Sequence, residues 1–404
     1  MAWKTGLLGA AALALLAGMA QAQDTGPIRL GVLNDMTGVY ADVSGKGGAL
    51  AARMAAEDFG GKVLGRPIEI LDADHQNKPD VGSNVVRQWI DRDGVLAIVD
   101  VPTSSVALAV NEITREKKRV FLASGPASSD LTGKACSPTT VHWTYDTYAL
   151  GYGTGKTLVE QGGDTWFFLT ADYAFGHTLE RDTTAFVQQG GGKVLGGVKV
   201  PLATNDFSSY LLQAQASKAK VIGLANAGGD TINSIKQAAE FGIVAGGQRL
   251  AGLLMFITDI NAIGLNTAQG LVATESFYWN LNDETRAWSK KWSDKMGGGK
   301  MPSMVQAGIY GSVMHYLKAM QAANSTDAET VVKKMKEMPV NDFMSKDVKI
   351  REDGRVMRDF YLVQVKKPAE SKGPWDYYNV LATIPADKAA RPLDQGGCSF
   401  VKKG

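Results

Sequence analysis

The chain predicts an α/β protein built as two doubly wound lobes, and three observations carry that reading. From Pro27 to about Glu240, apolar β-rich runs alternate with longer stretches of helical period, the signature of βα units and a parallel sheet. The alternation comes in two series, parted by the loop "GPASSDLTGKACSP" around Cys136. The last third then changes character, with long amphipathic stretches followed by a late pair of strand-like runs.

In the first series "IRLGVL" leads to "GKGGALAARMAAEDF", "PIEILDAD" to "VGSNVVRQWIDRD", and "VLAIVDV" to "SVALAVNEITREKK". "RVFLAS" closes it. The second series pairs "TWFFLTAD" with "FGHTLERDTTAFVQQGG", "KVLGGVKVPL" with "FSSYLLQAQASK", and "KVIGLANA" with "GDTINSIKQAAEFG". In the last third, "DETRAWSKKWSDKMGG", "SMVQAGIYGSVMHYLKAMQAANS" and "DAETVVKKMKEM" read as helices added to one lobe. "VKIREDGRVMRDFYLVQVK" and "WDYYNVLATI" read as strands added to the other. Asp353-Gly354 is a hairpin turn signal, and the glycine triplets at Gly190 and Gly297 read as helix-ending loops.

The chain of 404 residues is 45% hydrophobic and 21% charged, enough apolar material for two cores. Its 43 basic and 41 acidic side chains nearly balance, which gives no reason to expect nucleic acid or an anionic membrane as partner. At the N-terminus "MAWKTGLLGAAALALLAGMAQAQ" carries one basic residue, Lys4, and an apolar run to about Ala20. The small-x-small pattern Ala20-Gln21-Ala22 follows, so residues 1–22 read as a signal peptide cleaved after Ala22. The apolar run is too short and too rich in alanine to span a bilayer well, and no later stretch is apolar enough for membrane insertion of the mature chain. The expected location is the periplasm. Two cysteines, Cys136 and Cys398, with no CxxC spacing in an exported chain, indicate one structural disulfide.

One stretch imitates a nucleotide site. In "GYGTGKT" the phosphate-loop pattern requires a glycine separated by four residues from Gly155-Lys156-Thr157, and that position is Leu150, with the nearest glycine, Gly151, one residue too close. The reading preferred is a helix beginning near Asp146 whose glycines allow close packing. Four histidines, His75, His142, His177 and His315, are scattered without metal-ligand spacing. No nucleophile elbow is present. The two acids and histidine of "DADHQNKPD" read as a strand end followed by a helix starting at Pro79. An enzyme, a metal site and a cofactor are therefore not expected.

The chemistry that stands out suits holding something small. In open α/β sheets, ligands bind beyond the carboxyl ends of the strands, beside helix N-termini. Those ends here carry Thr37-Gly38, Thr103-Ser104-Ser105, Ser124-Gly125 and Asn226 through Asp230, interleaved with Tyr40, Tyr173 and Phe175. Each hydroxyl alone reads as a helix cap. Together on one rim they mark a binding cleft.

The segments "IRLGVLNDMTGVYADVSGKGGALAARMAAED", "GRPIEILDADHQNKP", "VPTSS", "FLASGPASSDLT" and "TADYAFGHTL" resemble, in order and spacing, the periplasmic solute-binding proteins of ABC transporters. The type is leucine/isoleucine/valine-binding, in its aromatic-acid-binding branch. The resemblance covers the whole mature chain and implies two α/β lobes joined by a three-strand hinge that closes on ligand. The division it implies is 23–146 with 277–345 for lobe 1 and 147–276 with 346–385 for lobe 2. A tail, 386–404, returns toward Cys136.

The resemblance also implies a ligand set. Ser104, with Ser105 beside it, falls on the serine that holds the ligand carboxylate. Ser124, Gly125 and Ala127 fall on the second anchoring segment, where amino-acid binders carry a threonine near Ala127 and where Ser124 or Ser128 can compensate. Tyr173 and Phe175 fall on the aromatic contact. The acid that amino-acid binders use for the α-ammonium falls at Leu253 to Met255, which is apolar. An unpaired ammonium in a closed cleft would cost several kcal/mol, so the expected ligand is a carboxylate without an amine, of the benzoate or hydroxycinnamate kind. Asp230 is the remaining acid, available to an ammonium or a phenol hydroxyl. The expected partner is a membrane ABC permease. A branched-chain amino-acid binder and a ligand sensor on the same fold are the alternatives.

Overall fold

The central runs IRLGVLN, VLAIVD, VFLA and VIGLA are buried along almost their whole length, as strands covered by helices on both faces must be, whereas RPIEILDAD and KVLGGVKV stay partly exposed. The computed structural model describes residues 26–401, so the signal peptide expected at residues 1–22 lies outside the described residues. The first sheet contains β1 (Ile28–Asn34), β2 (Lys62–Val63), β3 (Arg66–Asp74), β4 (Val95–Asp100), β5 (Val120–Ala123) and β6 (Thr140–His142). Their order is β2-β3-β1-β4-β5-β6, with only the short β2 running antiparallel. The register sets Asn34 beside Asp74 and Leu33 beside Asp100, which brings the carboxyl ends of three strands to one rim.

The second sheet contains β7 (Thr165–Ala171), β8 (Lys193–Val200), β9 (Val221–Ala225) and β10 (Arg249–Gly252), all parallel, in the order β10-β9-β7-β8. A third, antiparallel sheet joins β11 (Val272–Glu275), β12 (Phe360–Val365) and β13 (Tyr378–Ile384). Between β11 and β12 the chain returns to the first lobe, where helix Met304–Ala323 packs on helix Gly45–Phe59. The lobes are therefore crossed after β6, after β11 and before β12.

The segment before the third crossing runs beside β6. The His142 amide donates to Gly354 O at 2.9 Å, and the Val356 amide donates to His142 O at 3.1 Å. Gly354 holds φ +87° in the expected turn. Arg355, with 2% of its surface exposed, places Nη1 3.1 Å from Asp146 Oδ2 across this crossing.

The "GYGTGKT" stretch is helical throughout. Asp146 caps it, Oδ1 accepting the Ala149 amide at 2.8 Å, and Gly151–Lys156 winds as a wider π-helix between two α-helical turns. A Cβ on Gly153 would lie 2.2 Å from Thr274 Oγ1 on β11. The glycine serves packing against the third sheet, not a phosphate. At the other end, Cys136 and Cys398 form a disulfide, and Arg391 Nη2 donates to Ser129 O at 2.9 Å. The tail thus ties back to the first lobe. Among the described residues no helix is long and apolar enough to cross a membrane, and no cluster of His, Cys, Asp or Glu is placed to hold a metal ion.

Candidate functional site

Loops at the carboxyl ends of both parallel sheets meet in the cleft. After β1, the Asp35 carboxylate accepts the amides of Gly38 at 2.6 Å and Tyr40 at 2.9 Å, and the Asn77 side chain at 2.8 Å. A short acid organising its own following turn fixes the loop that carries Tyr40. After β4 comes Pro102, then Thr103 at the cap position of helix Ser104–Glu116. After β5, Gly125 and Ala127 form the next wall, and Tyr145, from the first crossing, donates its hydroxyl to Gly125 O at 2.7 Å.

The second lobe contributes Tyr173 and Phe175, at the start of helix Ala174–Gln189, and Ala227, Leu254 and Phe256 from beyond β9 and β10. With Tyr40, Val43, Pro102, Gly125, Ala127 and Tyr145 they line one narrow pocket between the lobes. Tyr145 meets Phe256 edge to face with ring centres 6.1 Å apart, and Tyr173 lies 5.8 Å from Phe175.

The lobes are closed on one another. The Tyr40 and Tyr173 hydroxyls are 2.6 Å apart, and the Gly229 amide donates to Val39 O at 3.0 Å. Gly228, at φ +56°, would place a Cβ 2.3 Å from that same carbonyl, so close approach and left-handed backbone both demand glycine. Nearer the hinge, Ser129 Oγ donates to Asp182 Oδ2 at 2.7 Å, and Arg181 Nη1 pairs with Asp130 Oδ1 at 3.0 Å.

No lysine, arginine or carboxylate belongs to the cavity wall among the described residues. Burial raises the pKa of Tyr40, Tyr145 and Tyr173 above the ordinary phenol value, so all three stay neutral hydroxyls. Behind Phe256, Asp259 accepts the Phe256 amide at 3.0 Å and is pushed by burial up to about 7. The structure brings Tyr40, Gly125, Ala127, Tyr173 and Phe175 together on the wall. Ser104 stands just beyond Pro102, fully buried; its Oγ accepts the Ser128 amide at 3.2 Å, leaving the hydroxyl proton free to donate. Ser105 follows it, partly exposed.

Three of the rim residues are engaged elsewhere. Ser124 Oγ lies 3.2 Å from Ser312 Oγ on helix Met304–Ala323. Asn226 bonds Ser234 at 2.9 Å and Thr231 at 2.8 Å, pinning the start of helix Gly229–Glu240. Asp230 Oδ2 accepts the Ala203 amide at 3.1 Å; Oδ1 has no partner, and burial pushes the group up to about 6. Sequence reasoning missed Val43, Pro102, Tyr145 and Phe256 as wall, while Ala227 falls within the Asn226 through Asp230 stretch it placed on the rim. The aromatic doublet Trp143-Thr144-Tyr145 at a crossing was the one signal available for Tyr145. Leu254, 3% exposed and part of the wall, lies inside the apolar stretch that the resemblance aligns with the ammonium-binding acid.

Known proteins share this arrangement. The periplasmic binding protein family matches residues 27–373. A solved periplasmic binding protein from Burkholderia mallei is 52% identical, with a TM-score of 0.91 over 93% of this chain and 99% of its own. A branched chain amino acid ABC transporter periplasmic ligand-binding protein from Burkholderia xenovorans LB400 is 40% identical, with a TM-score of 0.81 over 92% and 99%. An ABC transporter solute-binding protein from R. palustris, in complex with benzoate, shares the fold at 19% identity and a TM-score of 0.81 over 93% and 100%. Two parallel-sheet lobes crossed three times and closed over one small cavity, with a family match across most of the chain, identify this protein as a member of the periplasmic binding protein family, a solute-binding protein of ABC transporters.

Proposed function

We propose that the protein captures a small aromatic monocarboxylate, of the benzoate or hydroxycinnamate kind, and presents it in the closed form to a membrane permease. The signal peptide would be cleaved after Ala22, and the mature chain would act in the periplasm. The observation that carries the reading is the wall itself. Leu254 and Phe256 close it in the stretch where an amino-acid binder would offer an acid, and none of its side chains is charged.

Aromatic faces then pack the ring. The carboxylate is met by the Ser104 hydroxyl and the free amides that open helix Ser104–Glu116. Ligand that binds the closed form better shifts the population of lobes toward closure. The lobes follow the division 23–146 with 277–345 and 147–276 with 346–385, and the bonds of Gly354 and Val356 to His142 of β6 favour a third crossing after Val356.

A thermal-shift screen of the mature protein against aromatic acids, branched aliphatic acids and amino acids tests the reading. Ligand at a hundredfold over its dissociation constant should add about 2.7 kcal/mol. Ser104→Ala should weaken aromatic-acid binding by a few-fold to a hundredfold, in line with about 1.5–3 kcal/mol for a charge-assisted hydrogen bond. Unchanged affinity in that variant would move the anchor elsewhere. One observation favours a second reading, amino-acid binding: the unpartnered Oδ1 of Asp230, whose charge acts on both Tyr40 and Tyr173. A shift with leucine and none with benzoate would establish it over the first.

A further inference from the structure

Directly behind the first-lobe wall stands a carboxyl group that the binding reading leaves without a role. Asp100 ends β4 at φ +78°, and Val101 follows at φ +63°, a left-handed pair that L side chains seldom adopt and that surrounding structure must hold in place. The side chain is fully buried. Its Oδ2 accepts the hydroxyl of Ser44, the residue that opens helix Gly45–Phe59. Its Oδ1 faces the Gly125 amide without a hydrogen bond of normal geometry, and lies 2.5 Å from the point where a Cβ on Gly125 would stand. Gly125, Pro102 and Val43 are all cavity wall. Three wall segments thus converge on one buried carboxyl just behind the cavity wall.

We infer that Asp100 selects the charge of the ligand: an ionised Asp100 and a bound carboxylate exclude each other, so the anion enters with a proton on Asp100. This rests on the carboxylate reading above. Burial is the dominant influence and pushes Asp100 up to about 7, against the opposing pull of Ser44 and Gly125. A second negative charge across the Gly125 wall pushes in the same direction as burial.

The neighbours supply no compensating cation. The loop after β1 brings Asp35, already holding the Gly38 and Tyr40 amides and the Asn77 side chain. The end of β3 brings His75, which burial holds near 4 and therefore neutral. The first crossing brings Tyr145, a neutral phenol. Helix Gly45–Phe59 begins with Lys46, which is exposed on the neighbouring groove. Helix Met304–Ala323, packed on β4, carries His315, bonded to Met335 O, Lys318, and Tyr310 and Tyr316, phenols that burial keeps neutral. Helix Ser104–Glu116 has its charges, Glu112, Arg115 and Glu116, in its last two turns.

By linkage, an anion that binds only the protonated form loses affinity as pH rises through the pKa of Asp100, by up to about tenfold per unit, and binds at constant affinity below it. The experiment is calorimetric titration of the full mature protein with benzoate from pH 6 to pH 9, in two buffers of different ionisation heat. The expected result is a dissociation constant that climbs about three- to tenfold per unit above neutrality, with uptake of up to about one proton per ligand. Asp100→Asn should bind benzoate at pH 8.5 as tightly as the unaltered protein does at pH 6, without slope, while Asp230→Asn should keep the slope. If Asp100→Asn does not fold, proton uptake by the unaltered protein together with Asp230→Asn and Asp259→Asn decides, a slope lost in Asp259→Asn assigning the proton to that group instead. Benzoate binding of constant affinity without proton uptake would overturn the role of Asp100 alone, and so would a slope that vanishes in Asp230→Asn. No benzoate binding even at pH 6, with binding of leucine, would instead overturn the carboxylate reading on which the inference rests.

Discussion

Replacing both Cys136 and Cys398 with serine is expected to cost the folded protein about 3–5 kcal/mol. The two residues are 262 apart in sequence, so the bond closes a loop of about two thirds of the chain. The chain-entropy relation gives about 5 kcal/mol for such a loop, with real values often smaller. The bond also acts locally. It fastens the tail beside the loop that holds Ser129 and Asp130, and those residues reach across to Asp182 and Arg181 of the other lobe. Loss of the disulfide should therefore weaken closure as well as stability. Denaturant titration of the oxidised protein and the serine variant measures the first effect, and ligand affinity measures the second. A change below about 1 kcal/mol would mean that the unfolded chain gains little freedom when the tie is cut.

Arg355→Met should be comparably damaging, at about 3–5 kcal/mol, because it strips one partner from a buried ion pair. Asp146, 2% exposed, would keep its bond to the Ala149 amide and lose the cation beside Oδ2. Burial lowers the pKa of Arg355 despite the pull of Asp146, which marks how strongly desolvation bears on this pair. The guanidinium also lies 5.6 Å from the Phe360 ring, so one side chain holds β12, the first crossing and the cap of the helix after it. Asp146→Asn added to Arg355→Met should recover part of the loss, since it removes the stranded charge while keeping a capping oxygen. Stability of Arg355→Met equal to the unaltered protein would show that the crossings do not depend on the pair.

The lobes were legible because their central strands, β1, β4, β5 and β9, are buried on both faces and read as apolar runs, while the covering helices keep a helical period. The helix at Asp146 was legible for a local reason, an acid in the cap position. The cysteine pair was legible by count. The site was legible only as far as the rim. Ser124 and Asn226 do sit at strand ends, but which way a side chain turns there depends on what packs behind it, here Ser312 for one and Ser234 with Thr231 for the other. Tyr145 and Phe256 escaped notice because they come from a crossing and from the loop after β10, outside the strand-to-helix pattern that pointed to the rest. Tyr40 and Tyr173 were each legible as rim aromatics, yet their pairing joins positions 133 residues apart and no local pattern announces it.

The bond from the Gly229 amide to the Val39 carbonyl has a use beyond holding the lobes together. Its proton can be replaced by solvent deuterium only while that bond is broken, which requires the lobes to part at this point or the loop to open locally. The Gly229 amide is thus a built-in clock for the cleft: its exchange rate bounds how often the protein opens. A ligand that favours the closed form slows that rate in proportion to its occupancy, which allows binding to be followed at one backbone position without labelling the ligand or altering a side chain.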